Sequence, residues 1–81
     1  MSDNPNGHFS TSDLTQAAFL YASGIIFIGI DRPDSRRPAD FLFERPPDEL
    51  IAAWQRGDDE VSARSMHEAI RFLNGELRRD R

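Results

Sequence analysis

The sequence predicts a small α+β domain ordered helix, antiparallel β-hairpin, helix, helix. Leu14, Ala17, Ala18 and Tyr21 fall at i, i+3, i+4 and i+7, which is one stripe of a helix. Residues 25–30 read IIFIGI, β-branched or aromatic apart from one glycine, which is strand composition. Met66, Ile70, Leu73 and Leu77 then alternate steps of four and three, a second helical stripe.

The chain has 81 residues, enough for one domain. A domain of this size buries only about 60% of the surface that its unfolded chain exposes. Small domains gain margin from disulfides, a metal or a partner. There is no cysteine, and the two histidines, His8 and His67, are far apart with no ligand spacing around either. No metal and no cofactor is therefore expected, and self-association is the remaining device. The polar, turn-rich opening MSDNPNG predicts a disordered tail over residues 1–8, ahead of a single domain at 9–79.

Helix 1 has start and stop signals. Ser10 is the expected N-cap, with Asp13 completing a capping box and Phe9 and Leu14 spaced as a hydrophobic staple. Gly24 is placed to end the helix in a left-handed cap. Phe19 and Leu20 widen the apolar face, so the helix is expected to pack on more than one side.

The strand at Ile25–Ile30 is apolar on both alternating faces, which predicts cover on both sides. Gly29 is a candidate bulge. The segment DRPDSRRP (residues 31–38) is a loop, and Asp40–Arg45 is the second strand of the hairpin. A two-stranded hairpin is marginal in water. It must pack on the helices, or gain a strand from residues before Ser10 or from another subunit.

Pro46 and Pro47 end that strand. Pro47 suits the first helical position, with Asp48 and Glu49 in the first turn, where the helix dipole favours them. Leu50, Ile51 and Trp54 form the apolar face of helix 2, and Gly57 ends it. Ser62 is the expected N-cap of the last helix, with Val61 and Met66 as its staple. This helix is expected to run through Gly75 and fray near Arg79. The predicted core combines helix 1, one hairpin face, Leu50, Trp54, Ile70, Leu73 and Leu77.

The run Phe9-Ser10-Thr11-Ser12-Asp13-Leu14, continuing through Ala17, Ala18, Leu20 and Gly24, resembles the opening of a family of short bacterial and archaeal proteins. That family is described only as a domain of unknown function with an F-x-T-x-D-L helix opening. Phe41-Leu42-Phe43 resembles its second strand, and Arg71-Phe72-Leu73 loosely resembles its terminal Arg-x-Leu element. The resemblance spans roughly residues 9 to 78. It implies a shared fold and brings no activity, cofactor or catalytic residue.

Formal net charge is −4, which weighs against a general nucleic-acid binder. All ten basic residues are Arg. Arg grips phosphate and carboxylate through its planar fork, although an all-Arg composition also follows from a GC-rich genome. Residues 14–30 are too polar and too broken for a span of about 20 apolar residues, and they lack the basic front end of a signal peptide. No membrane partner and a cytoplasmic location are expected.

The candidate binding residues are Arg32, Arg36 and Arg37 on the hairpin tip, and Arg78 and Arg79 near the C-terminus, with Arg81 beside them. Asp31 and Asp34 dilute the first set, and the dipole of the last helix favours the second. Thr11 and Asp13 stand where a helix start could hold an anion, but capping needs the same residue types. Trp54 is spaced as a core residue and His67 as a solvated flank residue. Asp58, Asp59 and Glu60 read as a solvated linker. No Gly-rich phosphate loop, nucleophile elbow or H-E-x-x-H is present. The expected function is a non-enzymatic protein–protein interaction module, with self-association as one mode. The alternative is a nucleic-acid-binding accessory protein that uses the Arg loop and the C-terminal Arg cluster.

Overall fold

The computed structural model describes residues 8–32, 38–58 and 60–79. The expected tail at residues 1–7, the tip residues Arg36 and Arg37, and Asp59 and Arg81 lie outside them. Six elements follow one another: β1 (His8–Thr11), α1 (Leu14–Ala22), β2 (Phe27–Asp31), β3 (Asp40–Glu44), α2 (Asp48–Arg56) and α3 (Ala63–Arg79). The α+β class and the helix, hairpin, helix, helix order are as expected, with one strand added at the front.

That strand corrects two expectations. His8 does not end a disordered tail, and Ser10 does not cap helix 1. Both lie in β1, which pairs antiparallel with β3 in the register His8↔Glu44, Phe9↔Phe43, Ser10↔Leu42, Thr11↔Phe41. The sheet order is therefore β1-β3-β2, with β3 in the centre. The cause is local. Asp13 caps α1, accepting the Thr15 N–H at Oδ1 (2.9 Å) and, more weakly, the Gln16 N–H (3.4 Å). Thr11 Oγ1 accepts the Asp13 N–H (3.1 Å) and donates to Gln16 Oε1 (2.8 Å). This turn leaves residues 8–11 extended, and they satisfy backbone groups on the second edge of β3 that would otherwise be open.

The core lies between the sheet and a layer formed by α1 and α3. Phe41 and Phe43 on β3 are buried, as are Ala17, Ala18, Phe19 and Leu20 on α1 and Ala69 and Leu73 on α3. Four consecutive buried residues on α1 agree with the expectation of a helix packed on more than one side. The alanines keep side chains small where α1 and α3 pack together. A chain of ring contacts ties the layers. Tyr21 stacks on Phe72 (4.6 Å), Phe72 meets Phe27 edge-on (5.6 Å), and Phe27 meets Phe43 edge-on (5.4 Å). Tyr21 is 37% exposed, so it covers this chain from outside. Of the expected core, Leu73 is fully buried, whereas Leu50, Trp54, Ile70 and Leu77 are half-buried.

Both short helices end as their glycines predict. After α1, Gly24 takes φ 91°, its N–H donates to the Tyr21 carbonyl (3.1 Å), and the Ile25 N–H donates to the Leu20 carbonyl (3.1 Å). After α2, Gly57 takes φ 78°, its N–H donates to the Trp54 carbonyl (3.2 Å), and the Asp58 N–H donates to the Ala53 carbonyl (2.9 Å). These are paired Schellman closures. Pro47 stands one position earlier than expected. It caps α2 from outside with extended backbone (φ −59°, ψ 146°), and its carbonyl accepts from Leu50 (3.0 Å).

Ser62 opens α3 as expected, its Oγ accepting the Ser65 N–H (3.0 Å). α3 runs unbroken through Gly75 to Arg79. A Cβ at Gly75 would meet nothing within 4 Å, so no packing among the described residues calls for this glycine. It costs the helix about 1 kcal/mol relative to Ala.

Candidate binding surfaces

Strand alternation splits the sheet into two unlike faces. Phe9, Thr11, Phe27, Ile30, Phe41 and Phe43 share the helix-covered face, because each lies opposite another member of that set. Residues of the other register carry the outer face, among them Leu42 and Glu44 of β3. No helix among the described residues covers it. The expectation of a β2 covered on both sides is thus corrected: Ile26 is 59% exposed and Ile28 is 42% exposed. One helical layer can cover only one side of a sheet.

The bulge expected at Gly29 is present and shapes this face. Phe27 pairs with Phe43 and Gly29 with Leu42, so Ile28 is an extra residue in the ladder. Gly29 lies beside the half-buried Leu42 with open space where a Cβ would stand. The outer face therefore has an apolar centre of Ile26, Ile28 and Leu42. Asp31, Asp40 and Glu44 stand around it.

Two clefts flank α2. One, of about 210 Å³, is lined by Phe9, Pro46, Ile51 and the charged pair Arg45 and Asp48. The other, of about 430 Å³, is lined by Ile25, Leu50, Ser23, Glu49 and Arg56. Arg56 Nε donates to Asp58 Oδ2 at 2.9 Å. Neither cleft brings a nucleophile and a base together within hydrogen-bond reach, as acid–base or covalent catalysis requires. No residue of α2 is fully buried; Leu50, Ile51 and Trp54 hold the helix on the core, Trp54 stacking on Phe19 at 5.3 Å.

The sequence candidates divide between layers. Arg32 is exposed at the end of β2, whereas Arg78 and Arg79 are exposed on the last turn of α3. Arg36 and Arg37 lie outside the described residues. Arg79 pairs with Glu76 (3.3 Å). Arg78 has no such partner among the described residues and instead continues a line with Arg71 and Arg64 at i, i+7 and i+14. These three lie on the helix surface opposite Ala69 and Leu73. Arg64 and Arg71 are not among the binding residues expected from sequence, although their two-turn spacing is a usable signal. Thr11 and Asp13 serve the cap of α1, the role that their residue types predict. Trp54 is the half-buried anchor of α2, and His67 is exposed.

Among the described residues, no group of three or more His, Asp or Glu is placed to hold a metal ion, and no helix is long and apolar enough to cross a membrane. Comparison with protein-family models, with curated proteins and with solved structures finds no match for this chain.

Proposed function

We propose that this chain is a non-enzymatic protein-interaction module, and that the outer face of its sheet meets a second copy of itself. The carrying observation is the exposure of Ile26, just before the edge strand β2, and of Ile28 within it (59% and 42%). Fully burying one such side chain is worth about 1.5–3 kcal/mol. A two-fold contact would bury both isoleucines from each copy. Thin burial in a chain this short adds a reason for association. Asp31, Asp40 and Glu44 of the two copies repel across this contact, so the dimer should be weaker at low salt and tighten as salt screens them. The resemblance of residues 9–78 to the F-x-T-x-D-L family belongs to the same proposal and adds a fold without an activity.

Sedimentation equilibrium over a wide concentration range tests it. The full chain should show concentration-dependent dimerisation. The Ile26→Thr/Ile28→Thr variant keeps β-branching and removes apolar surface, so it should weaken the dimer at least about tenfold. A chain that stays monomeric at every concentration, or a variant that dimerises as well as the parent, would rule this surface out.

A further inference from the structure

The outer surface of α3 is a second, chemically different surface. At 3.6 residues per turn, Arg64, Arg71 and Arg78 form one line along the exposed side of this 17-residue helix. Successive members are about 10.5 Å apart and the line is about 21 Å long. All three are exposed, and none pairs with a carboxylate among the described residues, even though Glu68 is within helical reach of Arg64 and Arg71. His67 borders the line. The chain is net negative, yet α3 carries four Arg against two Glu.

Gly75 lies beside this line, one turn from both Arg71 and Arg78 and two turns from the exposed Glu68. Nothing among the described residues requires a glycine there, and it weakens the helix. On the surface it leaves a low point flanked by two guanidinium groups, where a ligand backbone can come close to the helix.

We infer that this face binds the phosphate backbone of double-stranded nucleic acid, with Arg64, Arg71 and Arg78 each on a phosphate and the strand seated closest at Gly75. Guanidinium groups match phosphate oxygens bidentately. A row of cations on a rigid helix complements the charge of a rigid polyanionic rod, each Arg reaching one phosphate among several. The face carries no Phe, Tyr or Trp on which unpaired bases could stack, only the imidazole of His67 at its border, which separates it from single-strand binders. It also lacks the apolar or aromatic anchors that a protein interface needs at its centre. The contact is to backbone alone and is therefore independent of sequence.

Fluorescence anisotropy of the full chain with a labelled DNA duplex tests this. Three phosphate contacts predict a log–log salt slope of about −2.7, hence about 40-fold weaker binding at about 200 mM than at about 50 mM salt. Arg64→Gln/Arg71→Gln/Arg78→Gln should abolish binding, with circular dichroism confirming an intact helix. Arg79→Gln, off the line, should stay within about twofold of the parent. Gly75→Gln leaves the charge alone and favours the helix, so a loss of affinity there marks the close seat. No duplex binding at low salt, or unchanged binding in the triple variant, overturns the proposal. Equal affinity for polyglutamate overturns its assignment to phosphate. Loss of self-association in the triple variant without any duplex binding would instead place this face against the acidic sheet of a second copy.

Discussion

Asp31 and Asp40 stand directly opposite one another across the β2–β3 ladder, at the end of the hairpin nearest its tip. Like charges facing across a strand pair are destabilising by a few tenths of a kcal/mol to about 1 kcal/mol. No described cation pairs with either. Asp31→Asn and Asp40→Asn should each raise the melting temperature by about 1–4 °C. The double variant should gain no further relief of repulsion, because either single change already removes it. The gain should shrink in high salt. Additive gains that ignore salt would mean that the two carboxylates do not interact.

The cap of α1 is assigned to Asp13 rather than Ser10 by its hydrogen bonds to the Thr15 and Gln16 N–H groups. Asp13→Ala should cost about 1 kcal/mol in urea denaturation. Ser10→Ala should stay within about 0.5 kcal/mol of the parent, since Ser10 is an exposed strand residue. The reverse ranking would restore the cap to Ser10.

α2 should loosen before the rest of the domain. It has no fully buried residue, lies between two clefts, and is anchored through Trp54 on Phe19. Trp54 is the only tryptophan, so its fluorescence reports on this helix alone. Its transition in urea should precede the loss of far-ultraviolet dichroism, as local opening requires. Trp54→Ala should cost about 2 kcal/mol, against about 4 for Phe43→Ala in the closed core. Total stability for a chain of this length is about 4–12 kcal/mol, so only the latter approaches global unfolding. Coincident transitions would show that α2 unfolds with the core.

Glycine substitutions should divide by backbone conformation. Gly57 closes α2 at φ 78°, a region in which an L side chain costs about 1–2 kcal/mol, so Gly57→Ala should destabilise by about that much. Gly75 is helical with open space around it, so Gly75→Ala should stabilise by about 1 kcal/mol. Thermal melts of the two variants read both signs directly. A destabilising Gly75→Ala would show that the glycine answers a packing need.

Much of the local structure was legible because it depends on neighbours in the chain. Gly24, Gly57, Ser62 and the Gly29 bulge act over a few residues, and each does what its residue type predicts. Asp13 shows the limit of such signals. Ser10 and Asp13 both suit an N-cap, and the choice rested on the hydroxyl of Thr11 and on whether β3 needed a second neighbour. The Arg line on α3 was present as spacing, but its importance depends on which side of the helix the core occupies.

By itself, the sequence determined three helices, a hairpin and their stops, because hydrophobic period, capping groups and glycine conformations are set within a turn or two of chain. It also determined that no cysteine chemistry is available. Only the tertiary structure decided that residues 8–11 join the sheet, that β2 is covered on one side, that α2 packs through Leu50, Ile51 and Trp54 without burying any residue fully, and that Arg64, Arg71 and Arg78 face away from the core. Those outcomes depend on backbone groups and surfaces brought together from distant parts of the chain. IIFIGI reads the same whether one face or both are covered, and the number of helical layers available to cover it is a property of the whole fold.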